Sequence, residues 1–169
     1  AAAYSSALDY YQSALREPGP AGAPAAPSSD RARLHRKRAD CLLQQGLPEE
    51  AAAELGRADA VLPGGATLDR AVLQVRSALV RFRQGRYDDS HRLALAAFAQ
   101  LASSDLHREV GNAQMILGNC ATRLGRPEKA AEFFQDALAT FRRIDLPLGQ
   151  AQAMINLAIL AKNDCRWSK

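Results

Sequence analysis

The residue types that most often carry out chemistry, histidine and cysteine, are few in this chain and widely separated. They are His35, His91 and His107, and Cys41, Cys120 and Cys165. Metal sites need such side chains at short spacing, as in Cys-x-x-Cys or two histidines one helical turn apart. None of the six lies at that spacing from another, and there is no glycine-rich phosphate loop or nucleophile-elbow serine. The sequence therefore predicts no enzyme, no metal site and no cofactor.

The densest charge in the chain is a basic run in its first quarter. Five positive side chains fall within eight residues: Arg31, Arg33, Arg36, Lys37 and Arg38. Such a run could contact phosphates, but no aromatic side chains interleave with it to stack on bases. The whole chain has 22 Lys and Arg against 18 Asp and Glu, a net charge of only +4. Nucleic acid is therefore a disfavoured partner, and the run is either the solvated face of a helix or a contact for an acidic peptide.

The composition favours helices that pack into one domain. The 169 residues are 47% hydrophobic, 24% charged and 6% aromatic, and alanine, the best helix former, is the commonest type. No stretch approaches the roughly 20 apolar residues that cross a membrane. Three distant cysteines indicate reduced thiols rather than a disulfide framework. We therefore expect an all-α cytoplasmic protein with no membrane partner.

A turn signature recurs at nearly constant intervals. Three apolar-periodic segments each end in a glycine: Gly46, Gly85 and Gly125. A helix C-terminus favours a left-handed residue there, which glycine adopts without steric cost. Pro48 and Pro127 follow two residues after their glycines, at a first helical position where a missing N–H is harmless. The intervals are 39 and 40 residues, and Cys165 is predicted to occupy a fourth turn.

Small side chains recur at helical spacing in the helix that follows each turn. After Gly125 the pattern is Ala130, Phe134 and Ala137, at helical spacing. The same spacing recurs in Ala51, Leu55 and Ala58, in Ser90, Ala94 and Ala97, and in Ala7, Tyr11 and Ala14. With Leu117-Gly118 in the preceding helix, this pattern resembles the tetratricopeptide repeat, a helix–turn–helix unit that stacks on its neighbours.

The resemblance implies an all-α, right-handed superhelical solenoid of antiparallel helix pairs, one domain over 1–169. We expect a half unit (helix 4–16), a Pro/Gly-rich loop (17–29), units of about 30–61, 68–103 and 107–143, and a partial unit at 146–169. The period of about 40 residues exceeds the usual 34. In this it resembles the long-period repeats of bacterial regulatory and sensory proteins.

Binding in tetratricopeptide folds usually uses the concave surface lined by the first helix of each unit. By repeat phase, the resemblance places there Arg36, Asp40, Gln44, Phe82, Arg83, Asn112, Met115, Asn119, Arg123, Gln152, Ile155 and Lys162. Amide side chains both donate and accept hydrogen bonds, so they can hold an extended peptide backbone whatever its sequence. The apolar members either contact a partner or pack against neighbouring helices.

The sequence therefore predicts a protein-interaction module that binds a peptide or protein segment in this groove, as part of a larger bacterial regulatory or signalling protein. One alternative is an oligomerisation module of a transcriptional regulator. It would self-associate as a homodimer through the uncapped last unit, where apolar side chains such as Ile155 and Ile159 lack their expected cover. The other alternative is a small-ligand sensor that uses the groove as a pocket. Nothing in the sequence nominates a metabolite for it.

Overall fold

The computed structural model describes the backbone of residues 2–16 and 27–167 and the side chains of 4–16 and 27–162. This part of the chain forms eight helices: α1 (Ala2–Arg16), α2 (Ser28–Gln44), α3 (Pro48–Val61), α4 (Thr67–Arg83), α5 (Tyr87–Leu101), α6 (His107–Arg123), α7 (Pro127–Arg143) and α8 (Pro147–Trp167). Most of the Pro/Gly-rich loop predicted at 17–29 lies outside the described residues.

The helices stack as antiparallel pairs. The most extensive packing joins α2 to α3, α4 to α5 and α6 to α7, while α1 packs against α2 and α8 against α7. The first helices of successive pairs also touch one another, since α4 contacts both α2 and α6, and α6 contacts α8. They form an inner layer, with α3, α5 and α7 outside it. The predicted all-α solenoid of helix pairs is confirmed.

The three predicted turns form as expected. Gly46, Gly85 and Gly125 have φ of 79°, 75° and 70°, the left-handed region that favours glycine. The residue after each glycine donates its N–H to a carbonyl five residues earlier, at 2.9 Å in each case: Leu47 to Leu42, Arg86 to Arg81, and Arg126 to Ala121. These bonds satisfy the last carbonyls of α2, α4 and α6. The fourth turn, predicted at Cys165, is wrong, because α8 continues through Trp167; a cysteine lacks the freedom of glycine to turn the chain.

In the second half of the solenoid, neighbouring helices come close together at glycines, because glycine has no side chain to hold them apart. A Cβ added to Gly118 would lie 2.5 Å from the Phe134 ring, and one on Gly111 would lie 2.4 Å from the Phe141 ring. The Phe141 ring also covers Gly149 of α8, where an added Cβ would stand 2.7 Å away. Both rings are 1% exposed. Two phenylalanines from α7 therefore rest directly on the backbones of α6 and α8.

In the two earlier helix pairs, the equivalent positions hold side chains of other sizes. Ala39 and Ala78, both fully buried, occupy the position of Gly118. Ala39 shares a core cluster with Leu55, and Ala78 shares one with Ala94. The first and third pairs thus set a larger side chain against a smaller one, whereas the second pair has alanine at both positions.

We expect Gly118→Ala to lower the free energy of unfolding by about 1–3 kcal/mol, because the added methyl group must displace the Phe134 ring. Urea denaturation monitored by circular dichroism measures the change. Gly56→Ala is the matched control: Gly56 is also inside a helix but has no atom within 4 Å of an added Cβ, so alanine there should stabilise by about 0.5–1 kcal/mol. Equal stability of Gly118→Ala and wild type would contradict the packing described.

Candidate functional site

The inner layer borders an open groove of about 390 Å³. We call it the inner groove and define it by its lining residues: Gln44, Arg76, Leu79, Arg83, Asn112, Met115, Ile116, Asn119, Gln152, Ile155 and Asn156. All lie on α2, α4, α6 or α8. The lining combines five amide side chains, two arginines and four apolar side chains, so it can meet both a peptide backbone and apolar side chains.

Seven of the twelve residues expected on the concave surface come together in the inner groove. They are Gln44, Arg83, Asn112, Met115, Asn119, Gln152 and Ile155. Their spacing within each helix explains the agreement. Asn112, Met115 and Asn119 follow one another at three and four residues on α6, which keeps them on one face.

Arg36, Asp40 and Lys162 do not line the inner groove. Arg36 lines a neighbouring depression together with Asp69 of α4. The Asp40 carboxylate lies 3.1 Å from Nε of Arg76 and is held in an ion pair. Lys162 is exposed near the end of α8.

Phe82 and Arg123 meet at Tyr87 rather than in the inner groove. The rings of Phe82 and Tyr87 lie 5.3 Å apart, centroid to centroid, and Phe82 is half-buried against the core. The Arg123 guanidinium stands 6.0 Å from the Tyr87 centroid, within reach of a cation–π contact. This cluster joins the ends of α4 and α6 to the start of α5.

Arg76 is a residue of the inner groove that the sequence prediction missed. Its Nη1 lies 3.1 Å from Oε2 of Glu109 on α6, in addition to the ion pair with Asp40 on α2. The Arg76 and Glu109 side chains are 14% and 11% exposed. One guanidinium therefore bridges three inner helices. The signal that could have found it is helical periodicity, since Leu79 and Arg83 stand three and seven residues further along α4.

An amide pair connects the last two inner helices across the groove floor. Asn156 Nδ2 donates to Asn119 Oδ1 at 3.2 Å. Asn112 Nδ2 donates to Glu109 Oε2 at 3.2 Å. In each of Asn119 and Asn112, one polar atom is used to hold the groove together. The other, Nδ2 of Asn119 and Oδ1 of Asn112, makes no hydrogen bond within the described part of the chain.

The two cysteines whose side chains the structure describes, Cys41 and Cys120, do not form a reactive centre. The pKa of both the Cys120 and the Cys41 thiol is raised, mainly by burial. The raised pKa keeps both thiols protonated and weakly nucleophilic. Cys120 Sγ donates to the buried Ser90 hydroxyl at 3.2 Å. Across the described residues, no three His, Cys, Asp or Glu side chains are grouped so that they could hold a metal ion. None of the described helices is both long and apolar enough to cross a membrane.

Stacked helix pairs whose first helices line a groove define a helical-repeat solenoid. Two family models of the tetratricopeptide repeat match the chain, one over residues 2–63 and the other over residues 69–143. The chain belongs to the tetratricopeptide repeat family, whose members generally mediate protein–protein interaction.

A solved structure shares the fold. BtubC (BKLC) from P. vanneervenii superposes with a TM-score of 0.68 at 19% sequence identity, over 96% of this chain. The chain spans 65% of the length of that protein. A comparison with curated protein sequences found no match.

We expect Arg76→Met to lower the free energy of unfolding by about 1–3 kcal/mol, because Glu109 would stay largely buried without its countercharge. Arg83→Met is the control, since Arg83 lies on the same helix face but is exposed, and its loss should change stability by less than about 0.5 kcal/mol. Chemical denaturation of both variants tests this. Equal effects would mean that Arg76 does not bridge the inner helices.

Proposed function

We propose that this chain is a protein-interaction module that binds an extended peptide or protein segment along the inner groove. It works in the cytoplasm as part of a larger bacterial regulatory or signalling protein, without catalysing a reaction. The observation that carries the proposal is the grouping of five amide side chains from α2, α6 and α8 in one groove, with two arginines of α4 beside them. Amides at such intervals can bind the N–H and C=O groups of an extended backbone.

The charge of the inner groove favours a partner with acidic side chains. Arg76 is neutralised by two carboxylates, whereas Arg83 is exposed and stands beside the amides without an ion pair among the described residues. Met115 and Ile155 supply apolar surface a short distance away. We therefore propose a segment with an acidic residue opposite Arg83 and an apolar residue opposite Met115 and Ile155.

The openness of the inner groove supports a peptide over a metabolite. Small-molecule sites usually enclose most of the ligand surface in a cleft or cavity. Here the lining comes from one curved layer of helices, and Gln44, Arg83, Gln152 and Ile155 are all exposed. A segment that lies along the layer can contact all four helices, so the small-ligand reading is less well supported.

We expect Arg83→Glu and Gln152→Ala each to weaken peptide binding at least about tenfold, through charge repulsion and loss of an amide contact. Binders are selected from a displayed random peptide library, and their affinities are measured by fluorescence anisotropy.

Arg92→Glu is the matched control, because it makes the same charge change at a side chain of α5 that is 76% exposed, outside the inner layer. Wild-type affinity in both groove variants, or equal weakening in the control, would contradict the assignment of the groove.

A second candidate function, self-association, is favoured by the surface of α8. Leu148, Met154 and Ile159 are 70%, 54% and 49% exposed on this one helix. Several exposed large apolar side chains on one helix can mark an interaction surface. A second copy of the chain is the proposed occupant.

If the chain self-associates through α8, sedimentation equilibrium should give a mass that rises toward the dimer with concentration. Leu148→Gln combined with Met154→Gln should then remain monomeric at the same concentrations, because the apolar area that pairs is removed. A wild-type mass that stays monomeric throughout would exclude this second candidate and leave the peptide proposal intact.

A further inference from the structure

An arginine-lined cavity lies between α1, α2 and α3, apart from the inner groove. It measures about 460 Å³, and we call it the basic cavity. Its lining residues are Gln12, Leu15, Arg16, Arg31, His35, Arg38 and Arg57. None of them also lines the inner groove. Four arginines and a histidine face this cavity, and no carboxylate is among its lining residues.

Helix geometry explains why these side chains meet there. Arg31, His35 and Arg38 stand at four- and three-residue spacing, so they share one stripe of α2. The other arginines of the basic run point elsewhere: Arg33 pairs with Asp30 at 3.0 Å, and Arg36 lines the depression beside α4. The run is therefore divided between two faces, and it is not one uniformly solvated surface.

A single buried carboxylate holds the floor of the basic cavity in place. Glu54 is 2% exposed, and its Oε2 lies 2.7 Å from His35 Nδ1. Its Oε1 lies 3.3 Å from Nη2 of Arg38 and also contacts Nη1 of Arg57. Ion pairing to a fixed carboxylate restricts both guanidinium groups. They are thus preorganised for a further anion.

The basic cavity keeps a net positive charge after the negative charge of Glu54 is subtracted. Four guanidinium groups border the basic cavity and one carboxylate opposes them. Moreover, Nε of Arg38 is buried and has no hydrogen-bond partner among the described atoms. A buried donor left without an acceptor is costly. The cavity therefore has net positive charge, which favours an anionic ligand, and one of its arginines has a buried donor without a partner.

The equivalent cavity of the next unit does not have this charge. There Arg70 takes the place of Arg31, and Gln74 and Ser77 take the places of His35 and Arg38. Arg70 is already satisfied, since its Nε lies 3.0 Å from Asp59 and its other nitrogens donate to backbone carbonyls. That cavity is also lined by Arg81, which donates to Gln84, so it has two arginines and Asp59 where the basic cavity has four arginines and no carboxylate. The larger charge of the basic cavity is thus not imposed by the repeat.

We propose that the basic cavity binds a phosphate monoester dianion. Two negative charges and three free oxygens match several guanidinium forks better than the single charge and two oxygens of a carboxylate. The ligand would contact α1, α2 and α3 together, through Arg16, Arg31 and Arg57. The site is independent of the proposed function, because the two cavities share no lining residue.

The test follows arginine Nε–Hε signals of the ¹⁵N-labelled chain by NMR during titration with sodium phosphate at constant ionic strength, using chloride as the reference salt. We expect saturable shifts for Arg38 and Arg57 and none for Arg70. Arg31→Gln combined with Arg57→Gln should weaken phosphate binding at least about tenfold. Arg92→Gln combined with Arg142→Gln removes the same charge at exposed positions elsewhere and should bind as wild type does. An unchanged Arg70 signal and circular dichroism spectrum show that each variant is folded.

The following outcomes would overturn the proposal or identify the ligand. Shifts that do not saturate, that chloride reproduces, or that both double variants weaken equally would overturn the proposal. Saturation by acetate at the same concentration as phosphate would overturn the preference for a phosphate group. A neutral peptide with one phosphoserine identifies the source. Tighter binding of this phosphopeptide than of inorganic phosphate supports the monoester, whereas tighter binding of inorganic phosphate would overturn the monoester in favour of the free ion.

Discussion

The solenoid depends on how closely its helices can approach one another. A helix can approach its neighbour closely where it has glycine or alanine, whereas a larger side chain there would keep the two helices apart. In this chain the third pair takes the constraint furthest, because the Phe134 and Phe141 rings rest on Gly118, Gly111 and Gly149. Close approach also brings the inner helices into one layer. That layer places amides from separate helices in a common groove.

The ion pairs depend on the same close packing. Arg76 reaches Asp40 and Glu109 only because α2, α4 and α6 lie side by side. Likewise, Glu54 meets basic side chains from both α2 and its own helix. Buried charges of this kind are costly unless they are paired. They therefore favour one arrangement of neighbouring helices over small slips between them.

Much of this fold could be predicted from the sequence because its determinants are local. A glycine at a helix end is required by the backbone conformation there, and Gly46, Gly85 and Gly125 adopt it. The candidate groove residues came from the resemblance to the tetratricopeptide repeat, carried over by repeat phase, and seven of the twelve line the inner groove because residues three and four apart share a face. The prediction of a turn at Cys165 was wrong for the same local reason, because a cysteine stands where the other three turns have a glycine.

What could not be predicted depends on contacts between helices distant in sequence. The bridge formed by Arg76 requires three helices at once, and α4 alone gives no sign of its acidic partners. Phe82 lies near the inner face, yet its ring turns toward Tyr87 of the following helix. The basic run is a third example. Its charge is visible in the sequence, but its division between two faces of α2 depends on which other helices surround that helix.

We propose that a partner binds to the inner layer of helices. Methyl NMR spectra of the ¹³C-labelled chain, recorded with and without a library-selected peptide, test this most directly. We expect shifts at Leu79, Met115 and Ile155, which line the inner groove, and none at Leu95, which is 48% exposed on α5. Shifts at Leu95 with unchanged groove methyl signals would contradict the claim and assign binding to the outer helices.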